Sequence, residues 1–486
     1  IGIFWMNARL IISTLAAISS LVSLCILTTL PWAFFYGEDT WEALALASLI
    51  PSAAAATVYV AFREPGAAYG AKEALIIVAG GWLLASFIGA VPYMTTRVLP
   101  NFVDALFESV SGFTTTGASV IPDPEILPKS VLFWRSTTHW LGGMGIVVLS
   151  VAVMPFLGVG GMGMMKAEVP SPVVDKLRPR VTSTARTLWK VYIILTAAEI
   201  VLLTLGGMNL FDSICHTFGT VATGGFSTKA NSIAHYDSGY IHVVITVFML
   251  AAGLNFTLHF EALNGNIKAY LQSTECRSYL ILFGGATLFI AFQLWGKNYD
   301  KFQDAILQSG FQVASIVTTT GYVTTDWERW PYSTQWLLLC LMFVGGCAGS
   351  TGGGMKCLRI IVVAKHVFRE LFLLIHPRAV MPIKVDRRVI AGPVINSIMA
   401  FISLFVGVWA VSTFMLIILE ADIVTAVGAV TATLANVGPG LEQVGALDNY
   451  AWFSSSSKLL LIFDMLVGRL ELFTVIVLLT PTFWRE

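Results

Sequence analysis

Thr114-Thr115-Thr116-Gly117 recurs in altered form as Val221-Ala222-Thr223-Gly224, Thr318-Thr319-Thr320-Gly321 and Ala435-Asn436-Val437-Gly438. The four glycines stand 107, 97 and 117 positions apart. Each segment closes a semi-polar stretch too short to cross a bilayer: Asp104–Phe113, Asp212–Val221, Asp304–Val317 and Asp422–Leu434. Long apolar runs flank each stretch. The pattern predicts four half-helices entering a membrane from one face, each opening on an Asp N-cap. Their C-terminal carbonyls then point to mid-membrane, where the negative end of the helix dipole favours a cation. Beyond each half-helix the chain returns as extended backbone, and carbonyls gathered around one axis make an ion filter. Glycine is expected at each turn because it adopts backbone angles closed to Thr or Val and leaves the pore unobstructed.

The rest of the chain agrees with a membrane setting. Of 486 residues, 56% are hydrophobic and only 12% charged, and the mean hydropathy is +0.76. No ordinary soluble protein of this size has that composition. The fold class expected is an all-α polytopic membrane protein of ten transmembrane helices in the lipid bilayer. Two come first, at 9–36 and 41–63, the first read as a retained span rather than a signal peptide. Four helix–half-helix–helix units follow, with long helices at 71–97 and 129–160, 186–207 and 239–264, 277–297 and 331–375, and 389–420 and 455–481. The corresponding divisions are 1–66, 67–165, 166–266, 267–378 and 379–486.

Lysine and arginine set the orientation. Nineteen of the 29 fall on one side, concentrated in 160–190, 264–278 and 359–388, against seven on the other. Both termini are therefore expected on the cytoplasmic side and the four glycine segments toward the outside. The formal net charge of zero gives no reason to expect a nucleic-acid partner. The six cysteines are scattered, with neither disulfide-framework nor metal-ligand spacing. Adjacent spans hold no convincing catalytic dyad, so no enzyme is expected. With no dinucleotide fingerprint and no Walker motif, no organic cofactor is expected on this chain, and nucleotide control requires a partner.

A second feature interrupts the eighth long apolar run. Six of the ten residues Gly345–Gly354 are glycine, the others being Cys347, Ala348, Ser350 and Thr351. Such a run does not stay helical, and non-helical backbone at that depth must be sheltered by protein or line a cavity. Close helix packing through small residues is the alternative. Arg469 lies in the otherwise apolar span Leu459–Leu479 with Asp464 and Glu471. An intramembrane arginine faces a partner or a wet cavity: it is either an ion-pair member with one of those carboxylates or a positive charge on the pathway. Lys356 follows the glycine run and is expected to face the same cavity. Asn255 and His259, four apart with Glu261 nearby, are a weak metal candidate, and Arg135 and His139 are expected to brace a pore helix.

Taken together, Phe113–Ala118 (FTTTGA), Trp140–Gly145 (WLGGMG), Ala222–Ser227 (ATGGFS), Thr318–Tyr322 (TTTGY), the Gly345–Gly354 run and Val467–Glu471 (VGRLE) resemble the Trk/Ktr/HKT superfamily of potassium transporters. The two additional N-terminal helices suit its Trk branch. The resemblance covers essentially the whole chain. It implies four M1–P–M2 units in pseudo-fourfold symmetry, a homodimer in the bacterial inner membrane, and K⁺ as the transported ion. It implies filter glycines Gly117, Gly224, Gly321 and Gly438, with Thr115, Thr116, Ala222, Thr223, Thr319, Thr320, Asn436 and Val437 supplying mainly backbone carbonyls. Gly117, where sodium-preferring members tend to carry Ser, favours potassium. The resemblance further implies an intramembrane gate made of Gly345, Gly346, Ala348, Gly349, Ser350, Thr351, Gly352, Gly353, Gly354 and Arg469, and a cytosolic regulatory partner, TrkA, that binds NAD(H) and adenine nucleotides. A symporter coupling K⁺ to Na⁺ or H⁺ is the alternative, since broken helices at mid-membrane suit that class as well.

Overall fold

The computed structural model describes residues 6–64, 70–152, 177–386 and 388–485. The expected division at 165/166, the end of the helix expected over 129–160, and Lys166, Lys176 and Arg387 lie outside the described residues. The described residues are mostly helical, and among them the one sheet is a hairpin pairing Lys384–Val385 with Arg388–Val389.

The first span, Ala8–Tyr36, begins where the Asn7 side chain accepts from Leu10 N–H and ends at left-handed Gly37. It packs on Trp41–Phe62 and Ala71–Thr95 through small polar residues. The Ser48 hydroxyl donates to Ser23 C=O at 2.6 Å, both residues being fully buried. Small side chains allow that close approach where helix association has no hydrophobic drive.

After this pair, one sequence of elements occurs four times: a long apolar helix, a short buried helix, an extended return and a further helix. The short helices are Phe102–Phe113, Leu210–Val221, Phe302–Val317 and Ile423–Leu434. Each packs on long helices of its own round and on the last helix of another. The first rests on Ser455–Arg469, the second on Lys129–Ala152, the third on Gly239–Ala252 and the fourth on Tyr332–Val344. The rounds therefore interlock in a closed cycle. Large apolar side chains such as Phe35, Val60, Leu205, Ile281 and Phe292 stand exposed on the outside, as lipid-facing residues must.

Two expectations are corrected. The helix N-caps are Asn101, Asn209, Lys301 and Asp422, so Asp422 alone of the four aspartates is a cap. Asp104, Asp212 and Asp304 lie in the first turn, where a carboxylate still benefits from the positive end of the dipole.

The helices expected at 239–264 and 455–481 are broken, while that over 331–375 is interrupted at Gly345–Gly354 as expected. Gly239–Ala252 and Phe256–Leu263 meet at 102°, because Asn255 turns its side chain to accept from Thr257 N–H and starts a new helix. Tyr332–Val344 and Cys357–Ile375 are separated by the glycine run. Ser455–Arg469 and Phe473–Leu478 flank Glu471 and Leu472, both at positive φ. Among the described residues six helices are long and apolar enough to cross a membrane, or seven counting the bent pair.

Candidate ion pathway

All four short helices end alike. At each C-terminus two backbone bonds close a Schellman turn. In the first, Thr115 N–H donates to Gly112 C=O (3.1 Å) and Thr116 N–H to Ser111 C=O (2.9 Å). The matching outer bonds are Gly224 N–H to Gly219 C=O (2.7 Å), Thr320 N–H to Ser315 C=O (2.8 Å) and Val437 N–H to Ala432 C=O (2.8 Å). The left-handed position falls on Thr115 (φ 52°), Thr223 (56°), Thr319 (59°) and Asn436 (55°). Three of these are β-branched residues in a conformation that such residues rarely adopt, strain of about 1–3 kcal/mol each that the surroundings must hold in place.

Two residues further on, Gly117 (φ 85°), Gly225 (84°), Gly321 (83°) and Gly438 (99°) also have positive φ. The register therefore corrects the second segment. Gly225, not Gly224, matches the other three glycines; Gly224 stands where Thr116, Thr320 and Val437 stand, and Ala222 is the helix C-cap.

These glycines touch one another's segments in a cycle. A Cβ on Gly117 would overlap the carbonyl oxygen of Gly224, one on Gly225 that of Thr320, one on Gly321 that of Val437, and one on Gly438 would lie 2.6 Å from that of Thr116. The four segments thus close into a ring, and the missing Cβ is required at the seams between segments. That is a tighter constraint than keeping a pore open. Among the described residues no protein donor bonds the carbonyls of Thr115, Thr116, Thr223, Gly224, Thr319, Thr320, Asn436 or Val437, although all eight residues are buried. Buried backbone carbonyls are ordinarily paired. A ring of unpaired carbonyls can replace the hydration shell of a hard monovalent cation.

Side chains fix the ring from behind. Thr114 and Thr116 hydroxyls share a hydrogen bond of 2.7 Å, as do Thr318 and Thr320. Asn436, where the other rounds have Thr, donates from Nδ2 to Thr116 Oγ1 (2.9 Å) and to Met465 C=O (3.0 Å), tying the fourth segment to the first. Arg135 and His139 do brace the ring. Arg135 pairs with Glu108 at 2.6 Å, donates to Ser227 C=O at 2.9 Å and stacks on Phe226. Glu108 in turn accepts from Val120 N–H at 3.0 Å. His139 Nε2 accepts from Phe226 N–H (3.1 Å), which leaves Nδ1 as the donor to Gly112 C=O (2.8 Å). One histidine thereby joins the first half-helix to the second return strand.

The glycine run lies beneath the ring, on the side of the half-helix C-termini. It forms a loop whose neck is closed by Met355 N–H to Phe343 C=O and Cys357 N–H to Gly346 C=O, both 3.0 Å. Its tip reaches three of the half-helices. Thr351 Oγ1 donates to Val221 C=O (3.1 Å), Gly353 N–H to Thr319 Oγ1 (2.6 Å) and Gly354 N–H to Ala435 C=O (3.0 Å). A Cβ at Gly353 would overlap Ala435 C=O, so the approach needs glycine. The loop spans the underside of the ring rather than packing helix on helix through small residues.

Arg469 is 2% exposed and donates from Nη1 to Thr351 C=O at 2.8 Å. Its Nε and Nη2 have no hydrogen-bond partner among the described residues. The ion pair considered for it is absent: Asp464 accepts from Ser412 (2.7 Å) and Glu471 pairs with Arg359. Lys356, buried, turns its ammonium to Gly352 C=O.

The weak metal candidate dissolves into local bonds. Asn255 is a helix cap, and His259 is held by Tyr270 Oη (2.7 Å) and Ala251 C=O (2.8 Å). All six cysteines are free. Sequence reasoning missed Glu275, whose carboxylate accepts from Ala348 N–H at 2.7 Å and Leu358 N–H at 3.1 Å.

The family model TrkH, described as "Cation transport protein", matches residues 42–485. The Trk system potassium uptake protein TrkH of Halomonas elongata is 38% identical over 99% of this chain and all of its own. That of Salmonella typhimurium is 43% identical over 85% of this chain and 86% of its own. The crystal structure of the potassium transporter TrkH from Vibrio parahaemolyticus superposes with a TM-score of 0.91 at 37% identity, covering 99% of this chain and 100% of that one. The chain belongs to the TrkH family of cation transport proteins.

Proposed function

We propose that this member of the TrkH family carries K⁺ across the bacterial inner membrane through a gated, channel-like pore. The eight buried, unpaired carbonyls in a closed four-segment ring carry the reading: a dehydrated monovalent cation is the ligand such a ring accommodates. Thr115, Thr116, Thr223, Gly224, Thr319, Thr320, Asn436 and Val437 supply the oxygens, while Gly117, Gly225, Gly321 and Gly438 allow the segments to meet. The related potassium uptake proteins support K⁺ as the ion. The architecture is ten spans, two leading ones followed by four pore units divided near 66, 165, 266 and 378.

The Gly345–Gly354 loop is the gate. It lies across the exit of the ring, pinned by Arg469, whose fixed positive charge opposes a cation beneath the ring. Both termini face the cytosol, where exposed Arg378, Lys384 and Arg388 offer a basic surface to the acidic face of a nucleotide-binding regulator, TrkA. The molecule works as a homodimer.

The test is current through the purified protein in planar bilayers with K⁺ on one side and Na⁺ on the other. The expected reversal potential favours K⁺ and collapses toward zero in Gly117→Ser. Absence of current together with ⁸⁶Rb⁺ uptake that needs a Na⁺ or H⁺ gradient would replace the channel by a symporter.

A further inference from the structure

The gating loop is held at its tip by the ring, at Thr351 by Arg469, along the bend at 252–256 by backbone bonds (Cys347 N–H to Gly253 C=O, 2.8 Å; Phe256 N–H to Gly349 C=O, 3.1 Å), and on its flank by a side chain of a different helix. That side chain is Glu275, in the first turn of Thr274–Leu294 and 7% exposed. Its Oε1 accepts two backbone N–H groups at once, from Ala348 (2.7 Å) within the loop and from Leu358 (3.1 Å) at the start of Cys357–Ile375. The second bond has a clear physical origin. The N-cap of that helix, Lys356, is at φ 71° and offers no side-chain cap. An uncapped helix start leaves N–H donors and a positive dipole end unsatisfied, and the Glu275 carboxylate supplies both the acceptor and the charge.

We propose that Glu275 is the latch of the gate: one carboxylate, anchored on a fixed helix, that joins the flank of the gating loop to the helix following it and is released when the loop withdraws. The proposal rests on the reading of Gly345–Gly354 as the gate.

The anchor is immobile for reasons visible in its packing. Cys276 and Tyr279, one and four positions beyond Glu275, are buried in the core cluster that contains Val313, Ile316 and Val317 of the third half-helix. The helix start is doubly capped. Ser273 accepts from Cys276 N–H at 3.2 Å, and Asp386, in the turn of the cytoplasmic hairpin, accepts from Thr274 N–H at 2.6 Å. Glu275, Ala348, Lys356 and Leu358 all line one cavity of about 810 Å³ beside the loop, which is the space into which a released loop can move. Glu275 is a positioning residue: it touches the gate and not the carbonyl ring.

The experiment is single-channel recording of the full-length protein in bilayers, comparing the parent chain with Glu275→Ala, Glu275→Gln and Arg469→Gln. Hydrogen bonds to an ionised acceptor are the strong class. Glu275→Ala is therefore expected to raise the open-to-closed ratio at least about tenfold, and Glu275→Gln, which keeps an acceptor oxygen without the charge, by less. The K⁺/Na⁺ reversal potential should stay at the parent value. A second readout reports the loop itself. Cys347, 1% exposed, adjoins Ala348; in a chain retaining Cys347 as its sole cysteine, thiol modification from the cytosolic side should accelerate by a similar factor. A merely structural role would lower stability without changing either quantity. Should Glu275→Ala fail to fold, Glu275→Gln carries the test. If Arg469→Gln opens the channel while neither Glu275 variant changes open ratio or Cys347 reactivity, the latch is overturned and the gate stands. If no variant, including deletion of Ala348–Gly354, changes the open ratio, the gate reading fails and the latch fails with it.

Discussion

Arg469→Gln tests the gate most directly. Arg469 is buried at 2% exposure and makes one protein hydrogen bond, from Nη1 to Thr351 C=O at 2.8 Å. With Glu471 engaged by Arg359 and Asp464 by Ser412, no carboxylate is bonded to its charge, so its hold on the loop is that bond plus electrostatics. A hydrogen bond from a charged donor contributes about 1.5–3 kcal/mol. Losing it moves the open-to-closed ratio by about 10- to 150-fold at 1.4 kcal/mol per decade. The cost of keeping a lone guanidinium buried opposes this gain, so the lower end is the expected result. Arg469→Lys keeps the charge without the planar fork and should fall between the parent and Arg469→Gln. The assay is open probability from single-channel records, with ⁸⁶Rb⁺ flux into liposomes as the ensemble counterpart. Open ratios within about threefold of the parent for both Arg469→Gln and Arg469→Ala, in protein of native elution profile, would refute the reasoning.

Three more outcomes are expected. Gly117→Ser and Gly225→Ser place a side chain at φ 85° and 84° against a neighbouring carbonyl. Each should reduce K⁺-over-Na⁺ permeability by about tenfold, and reversal potentials that distinguish the two strongly would break the proposed register. Glu108→Ala leaves Arg135 buried and uncompensated, a loss of about 3–5 kcal/mol; the thermal midpoint in detergent should drop, and Glu108→Leu with Arg135→Met should recover part of it. In the loop after the third half-helix, burial, reinforced by Asp326, Asp448 and Glu442, pushes the Glu328 carboxyl up to about 7 against the opposing hydrogen bond from Glu442 N–H. Because its folded value lies above the unfolded one, its contribution to stability is complete below about pH 4.5 and lost as pH rises through about 7. Protection factors of amides around Glu442–Gly445, which are corrected for the intrinsic rise of exchange with pH, should therefore fall between pH 6 and pH 8, and the fall should vanish in Glu328→Gln.

The C-terminal ends of the half-helices were legible to the residue, at Phe113, Val221, Val317 and Leu434, because a Thr- and Gly-bearing segment follows an apolar run each time. Three of their starts were not, Asp422 alone being the expected cap. Asp104, Asp212 and Asp304 resemble caps in a string, whereas the actual caps Asn101, Asn209 and Lys301 are picked out by extended backbone angles and, for the two asparagines, by side-chain bonds from Val103 N–H and Asp212 N–H. The second segment misled for a related reason. Two adjacent glycines at 224 and 225 give a pattern match no means of choosing, whereas the bond from Gly224 N–H to Gly219 C=O chooses at once. The breaks at Asn255 and at Glu471–Leu472 escaped because an apolar run carries the same signal whether it stays straight or turns, whereas the glycine run at 345–354 was legible as non-helical. Asn255 was noticed as a metal candidate when its work is to cap a helix.

The sequence by itself determined the membrane setting, the repetition, the half-helices and the loop that cannot be helical. Each follows from composition or local backbone preference, which a stretch of ten to twenty residues states completely. The tertiary structure alone decided that the four segments close a ring, that the loop lies beneath it, and that Arg469 meets Thr351 while Glu275 meets Ala348. Those contacts join residues 34 to 320 positions apart. The deciding terms, a carbonyl oxygen seated where a Cβ would be and a backbone N–H left over at a helix start, belong to pairs of distant groups, and neither group states its partner locally.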